Sequence, residues 1–160
     1  MKTELRSGEF KAVVEANAFT PIKYRNMFGR DIFKDVEDAR NNNDFKSRVA
    51  TTMRLITVMS EKSNVKFPDE PEKIYVLLPG VLELWNKNIV SCVESSDGNG
   101  TNSRPLTFSL YHLRCVQIGL SVADLKEITV GMVFDLYTEM NNSDTTENVR
   151  EATQEDMDAF

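Results

Sequence analysis

Residues 119–137, GLSVADLKEITVGMVFDLY, contain two helix starts within one short stretch of the chain. Ser121 can cap the first helix, and Asp124, three positions later, can complete a capping box. Thr129 can cap the second helix, whose apolar side chains follow at helical spacing. None of these residues suggests catalysis. We interpret the pair as a compact helical module that docks another protein, with a purely structural role in the core as the alternative.

The composition is that of a globular protein with an acidic balance. The chain of 160 residues is long enough for one domain, with or without a small appendage. Its net charge of -6 argues against nucleic acid as the main partner, because phosphate contacts require clustered Lys and Arg. No apolar run reaches the ~18 residues that a membrane span requires. Cys92 and Cys115 lie in apolar stretches, where we expect reduced buried thiols rather than a disulfide.

Residues 1–94 predict a β-hairpin followed by a helical domain. Ser7 and Gly8 supply a turn, and apolar residues alternate after it. Thr20 is predicted to cap a first helix, which Gly29 ends. The residues that should share one face of the second strand are Phe10, Ala12, Val14 and Ala16.

Three further helices are predicted in this domain from apolar residues at spacings of three and four. Their apolar faces are Ile32, Phe33 and Val36; Phe45, Val49, Met53, Ile56 and Met59; and Val81, Leu84, Trp85 and Ile89. Residues 67–73, FPDEPEK, are predicted to be a loop. The acidic residues of the first of these helices, among them Asp35, should form a solvated ion-pair face with neighbouring Lys and Arg.

A change of composition separates a second part of the chain. Residues 95–105, SSDGNGTNSRP, read as a linker, residues 106–140 as a C-terminal helical module, and residues 141–160 as an acidic, mobile tail. The predicted apolar face of the module's first helix is Leu110, Leu113, Val116 and Leu120, and that of its last helix is Met132, Val133, Leu136, Tyr137 and Met140. The predicted fold class is therefore mainly α with a short N-terminal β-hairpin, a helix-rich α+β protein.

No pattern in the sequence indicates catalysis, a cofactor or a metal. His112 is the only histidine, so any site that needs two histidines is excluded. The strings HExxH, CxxC and GxSxG do not occur, and no lysine follows a glycine-rich phosphate loop. Asp97, Asn99 and Thr101 resemble the start of a calcium loop, but its glycine and its final glutamate are missing. We predict that the protein is not an enzyme.

Three stretches, taken in order, carry a resemblance to a known family. They are the hairpin running into FTPIKYRNMFGRDIFKDV; the Met-rich helix RVATTMRLITVMSEKSN with the later helix of Trp85; and YHLRCVQIGLSVADLKEITVGMVFDLYTEMNN with the closing ATQEDMDAF. This combination resembles the tail assembly chaperones of long-tailed, siphovirus-type bacteriophages and prophages. The resemblance covers most of the chain and leaves the linker and part of the tail uncovered.

The resemblance implies a binding role without catalysis. Family members are thought to coat the tape measure protein, a long and aggregation-prone helical polypeptide, until tail tube protein polymerises around it. A C-terminal module, added in many members by a programmed frameshift, is thought to recruit the tube protein; a single product holding both modules is equally compatible. The resemblance implies self-association and a place in the host cytoplasm, outside the mature virion, with no membrane or nucleic acid as partner.

Candidate partner contacts are apolar side chains on three helices, because helices dock through apolar anchors and Met tolerates an imperfect fit. They are Met53, Met59, Leu125, Met132, Val133, Leu136, Tyr137 and Met140. A Met stripe at this spacing can equally be core. The alternative functions are a structural head-tail connector or tail completion protein of the virion and, third, a small regulatory domain or an enzyme with a diffuse site.

Overall fold

The computed structural model of the protein describes residues 2–61, 64–90 and 105–143. It is mainly helical with an N-terminal two-stranded antiparallel hairpin, so the predicted fold class is confirmed. The elements are β1 (Lys2–Ser7), β2 (Phe10–Glu15), α1 (Thr20–Phe28), α2 (Ile32–Asn41), α3 (Phe45–Met59), α4 (Pro71–Tyr75), α5 (Leu78–Ile89), α6 (Phe108–Ile118), α7 (Val122–Glu127) and α8 (Val130–Ser143). Cys92, the calcium-like stretch, most of the predicted linker and most of the predicted tail lie outside the described residues.

The hairpin turn lies one residue later than the sequence suggested. Ser7 pairs with Phe10, so Gly8 and Glu9 form a two-residue loop. Gly8 has a φ of 59°, which a two-residue hairpin of this kind requires and which glycine adopts without strain. The predicted alternation is confirmed, because Ala12 and Val14 are buried. A single bridge from Val14 to Ser60 ties the hairpin to the end of α3.

The predicted cap of the first helix was wrong, although its position was close. Phe19 is the N-cap residue of α1, and Thr20 is already in the first turn. The Thr20 hydroxyl instead accepts a bond from the Asn17 amide at 3.1 Å, while the Asn17 side chain accepts from the Phe19 amide at 3.1 Å. Asn17 therefore organises the turn that the sequence had assigned to Thr20. Gly29 ends α1 with a φ of 67°, as predicted.

Helix α3 lies at the centre of the fold and contacts α1, α2, α4, α5 and β2. Val49, Ile56 and Met59 of its predicted stripe are buried, as are Leu55 and Thr52 between them. Phe45 lies at the start of the helix, is partly exposed and packs on Tyr75, with ring centroids 5.2 Å apart. Tyr75 belongs to α4, a short helix that begins within the predicted loop of residues 67–73 and extends beyond it, so the loop prediction was wrong for residues 71–73. Pro71 starts this helix, because its fixed φ suits the first helical turn.

The C-terminal helices share the core of the rest of the chain. One cluster of buried side chains includes Tyr111 and Val133 together with Val14, Ile56 and Trp85. The Phe33 ring joins the two parts, because its centroid lies 5.7 Å from those of both Trp85 and Tyr111. The predicted division near residues 95–105 therefore separates two parts of the chain that pack together.

Candidate functional site

The C-terminal helices are attached to the rest of the fold through backbone and buried polar contacts. The Ala18 amide donates to the Ile128 carbonyl at 2.8 Å, and the Phe19 amide donates to the Leu125 carbonyl at 2.9 Å. The Tyr111 hydroxyl donates to the carbonyl of Ala18. Residues 18 and 19 therefore act as an anchoring point for α6 and α7.

Asn88 fixes the start of α8 from the other side. Its side chain is fully buried, its Nδ2 donates to the Asn17 carbonyl at 3.3 Å, and its Oδ1 accepts from the Val130 amide at 3.3 Å. An amide supplies both a donor and an acceptor, which this position needs. The contact satisfies one of the free amides at the start of α8 and so determines where that helix leaves the core.

Both helix starts predicted in residues 119–137 are confirmed. The Ser121 amide donates to Asp124 at 2.8 Å, and the Asp124 amide donates to the Ser121 hydroxyl at 3.3 Å, which completes the capping box. The Met132 amide donates to the Thr129 hydroxyl at 3.2 Å. Local capping therefore sets where α7 begins and, together with Asn88, where α8 begins.

Helix α8 has one buried side and one exposed apolar stripe. Val130 and Val133 are fully buried. Met132, Leu136 and Met140 are 38%, 42% and 40% exposed, and their spacing of four places them along one side of the helix. We call these three residues the α8 stripe. A stripe of this type at the surface of a folded chain is a candidate for contact with a partner.

The other candidate partner contacts are less accessible. Met59, Leu125 and Val133 are buried and belong to the core, so a partner cannot reach them in the folded chain. Met53 is half-buried on α3. Tyr137 is half-buried under the Arg114 guanidinium, which lies 3.6 Å from its ring centroid, so this ring already has a cation–π partner.

The predicted apolar face of α6 was wrong. The helix buries Tyr111 and Cys115, whereas Leu113 and Val116 are 51% and 63% exposed. Tyr111 is not part of the predicted face; its hydroxyl donates to the Ala18 carbonyl and its ring packs into the core. Burial raises the pKa of the Cys115 thiol, a free cysteine, as expected for an unreactive core residue.

The acidic residues of α2 are not all solvated, which corrects our expectation for Asp35. Its carboxylate is buried and accepts two bonds of 2.7 Å from Arg30 and one of 2.6 Å from the Tyr24 hydroxyl. Arg54 lies 3.3 Å from the same group. Burial alone would raise the pKa of Asp35, but the bonds from Arg30 and Tyr24 hold it below its usual value. Glu37 and Asp38 are exposed, as predicted.

The sequence contained a signal for this network. Asp35 lies three residues after Ile32 and next to Val36, on the side of α2 that faces the core. Each oxygen of its carboxylate is held by a guanidinium, so the group is engaged in structure. Asp31 has a similar structural role, because its two oxygens accept from the Phe33 amide at 3.0 Å and from the Phe108 amide at 2.8 Å, joining α2 to α6.

Residues 2–61, 64–90 and 105–143 contain neither a cluster of metal ligands nor a helix suited to span a membrane. Within those ranges no three His, Cys, Asp or Glu side chains converge as metal ligands. Among the same residues, no helix combines the length and the apolar character needed to cross a bilayer. His112 is exposed and stacks on Phe108, with ring centroids 5.6 Å apart.

Comparisons with protein families, with curated proteins and with solved structures find no match for this chain.

Proposed function

We propose that this protein is a non-enzymatic tail assembly chaperone of a long-tailed bacteriophage, which binds the tape measure protein and keeps it soluble during tail assembly. The observation that carries the proposal is the α8 stripe, in which Met132, Leu136 and Met140 are partly exposed along one side of a helix. The resemblance of the sequence to that family supplies the identity of the client.

The α8 stripe has the geometry that helical clients require. Helix α8 has 14 residues, which corresponds to about 21 Å of helix. Apolar anchors at a spacing of four along such a length can pack against the apolar stripe of a second helix. Two of the three anchors are Met, whose flexible side chains adapt to different neighbours, and a chaperone that coats a long polypeptide meets many different sequences.

The charge of the chain suits a coating role. Helix α8 carries Asp135 and Glu139 and no Lys or Arg, and the whole chain has a net charge of -6. Copies that line a client would repel other coated clients, which opposes aggregation. We further propose that residues 106–140 help to recruit tail tube protein, since α6 and α8 both leave apolar side chains exposed.

Co-expression with the tape measure protein of the same phage tests the proposal. We expect the client to be soluble only together with this chain, with many copies of the chain on each client by light scattering. Substituting Met132→Glu and Leu136→Glu together should remove this effect, because it places charges on the stripe. Val76→Glu is the matched control, because Val76 is 66% exposed and lies at the end of α4, away from α8.

Two results would overturn the proposal. The first is a client that stays insoluble when it is co-expressed with the wild-type chain, while the soluble chain is found without any client. The second is equal rescue by the wild type and the doubly substituted chain, both folded by circular dichroism. Detection of the protein in purified mature particles would instead favour a head-tail connector or tail completion protein.

A further inference from the structure

The α8 stripe is bordered on one side by negative charge. Asp135 and Glu139 are four residues apart, so they follow one another along one side of α8. We call these two residues the acidic edge. At about 100° per residue, the acidic edge lies next to Met132 and Leu136, on the side of the stripe away from buried Val133. Glu139 is exposed and Asp135 is half-buried.

The basic residue of α6 lies across the stripe from the acidic edge. Arg114 is the one Lys or Arg of α6, the helix that packs most closely on α8. Its guanidinium lies 3.6 Å from the ring centroid of Tyr137 and donates to Gln117 at 2.9 Å. On the helix, Tyr137 follows Val133 by four residues and is therefore on the side of the stripe that faces the core.

The basic residues of α5 and α7 also have contacts of their own. Lys87, the one basic residue of α5, forms an ion pair with Glu83 at 2.7 Å. Lys126, the one basic residue of α7, has its amine 5.7 Å from the ring centroid of Phe19. The charged groups of the neighbouring helices therefore leave the border of the α8 stripe at the acidic edge negative.

The acidic edge does not favour the formation of α8. Two like charges at a spacing of four repel each other, and α8 has no Lys or Arg to offset them. Its last turn also lacks a basic residue, which the helix dipole would favour there. Proteins go against local rules of this kind mostly at functional sites. The sign of the charge along this edge is therefore better explained by a partner than by the stability of α8.

We propose that the α8 stripe binds basic amphipathic helices, segments of the client in which an apolar stripe is bordered by Lys or Arg. This inference rests on the proposed function, because it takes the α8 stripe as the client-binding site, and it adds the class of segment that is bound. A client helix packed on the stripe would have its axis about 8–10 Å from that of α8. Its bordering side chains would then lie near the acidic edge, where basic groups are attracted and acidic groups are repelled.

The acidic edge sets a preference among segments, while the apolar contacts supply most of the affinity. An ion pair at an exposed border is worth little by itself. Two such pairs should favour a segment bordered by Lys over a neutral one by about three- to tenfold. The preference should decrease with salt, because the screening length falls from about 30 Å at 0.01 M to about 3 Å at 1 M.

Three synthetic peptides test this preference with the full chain. Each has about 18 residues, which is long enough to form a helix, and all share one stripe of Leu. The positions that border the stripe are Lys in the first peptide, Gln in the second and Glu in the third. By fluorescence anisotropy, we expect the wild type to bind the Lys peptide most tightly and the Glu peptide most weakly, with smaller differences at high salt.

Two variants of equal net charge locate the preference. Asp135→Lys and Glu139→Lys together should reverse the order of the three peptides. Glu37→Lys and Asp38→Lys together make the same change of charge at exposed positions of α2, which is not among the main contacts of α8, and should keep the order. If circular dichroism shows that the first variant is unfolded, Glu139→Lys alone replaces it, because Glu139 is exposed, and should reduce the preference for the Lys peptide.

Three results would overturn the inference. The first is equal binding of the Lys and Gln peptides by the wild type, and the second is the same order of binding in the α8 and α2 variants. In both cases the peptides still bind, so the chaperone proposal stands without a preference for basic segments. The third is a lack of binding of all three peptides, in which case co-expression with the tape measure protein decides the chaperone proposal separately.

Discussion

Helices α5 and α8 both carry apolar residues at helical spacing; those of α5 are covered except for half-buried Ile89, whereas three of those of α8 are exposed. Leu78, Val81, Leu84 and Trp85 of α5 are buried. Helix α5 packs against α3, α8 and β1, whereas the main contacts of α8 are with α6 and α5. Helix α8 therefore buries Val130 and Val133 and leaves the α8 stripe at the surface.

An apolar stripe can thus serve stability or binding, depending on what surrounds it. A large apolar side chain contributes about 1.5–3 kcal/mol to folding when it is fully buried. The side chains of the α8 stripe are 38–42% exposed, so they contribute less to folding than fully buried ones, and the exposed part is available to a partner. Substitutions in the two helices should therefore separate stability from binding.

The greatest loss of stability should come from the buried side. Trp85→Ala should lower the free energy of unfolding by about 3–5 kcal/mol, because the large ring leaves a cavity beside Phe33. Urea unfolding measures this loss. A loss below about 1 kcal/mol would mean that α5 is not covered as described.

The next effect concerns the polar contacts that hold α2. Asp35→Asn should cost about 2 kcal/mol, since it removes the charge that Arg30 and Arg54 share. The folded protein holds the pKa of Asp35 below its ordinary 3.8, so its contribution is present above pH 3.8 and is lost as the pH falls below that value. The difference between wild type and variant should shrink at low pH. Asp38→Asn, on the exposed side of α2, should show neither effect.

Gly131 lies where α5 and α8 meet, and replacing it with alanine should lower the stability of the protein, although this change usually stabilises a helix. Gly131→Ala inside a helix would ordinarily stabilise it by about 0.5–1 kcal/mol. Here a Cβ would lie 2.1 Å from the Val90 carbonyl oxygen, so the start of α8 would have to move. We expect a net loss of about 1–2 kcal/mol in thermal or urea unfolding. A gain in stability would show that the two helices are not in this close contact.

The least change in stability should come from the exposed side. Leu136→Gln should lower the free energy of unfolding by about 1 kcal/mol, because 42% of the side chain is exposed and only the covered part loses its apolar contacts. The same substitution should reduce the soluble fraction of a co-expressed client. A large loss of stability would place Leu136 in the core and remove the contrast with α5.

The sequence predicted local features well. The capping box of Ser121 and Asp124 and the end of α1 at Gly29 involve residues close along the chain, so their chemistry does not depend on the rest of the fold. The predicted stripe of α3 was also largely correct, because a helix of 15 residues in the middle of the fold has enough turns for the repeat of apolar residues to be recognised. Two residues of this stripe are not fully covered. Phe45, at the start of the helix, is exposed, and Met53 is half-buried.

The covering of the surface helices could not be predicted in the same way. Helix α6 carries two apolar sides, and the choice between Leu113 and Tyr111 for the core depends on a carbonyl at Ala18, far along the chain. The burial of Asp35 could not be predicted either, because its partners Arg30, Arg54 and Tyr24 come from three separate places in the chain. The exposure of the α8 stripe likewise depends on which helices pack nearby, which periodicity does not specify.

Methionine methyl NMR can show whether the α8 stripe binds the client. Met132 lies on the stripe, Met27 is comparably accessible on α1, and Met59 is buried. On titration with a soluble helical segment of the tape measure protein, we expect the Met132 methyl signal to shift or broaden while those of Met27 and Met59 stay unchanged. An unchanged Met132 signal, or equal changes at Met132 and Met27, would contradict binding at the α8 stripe.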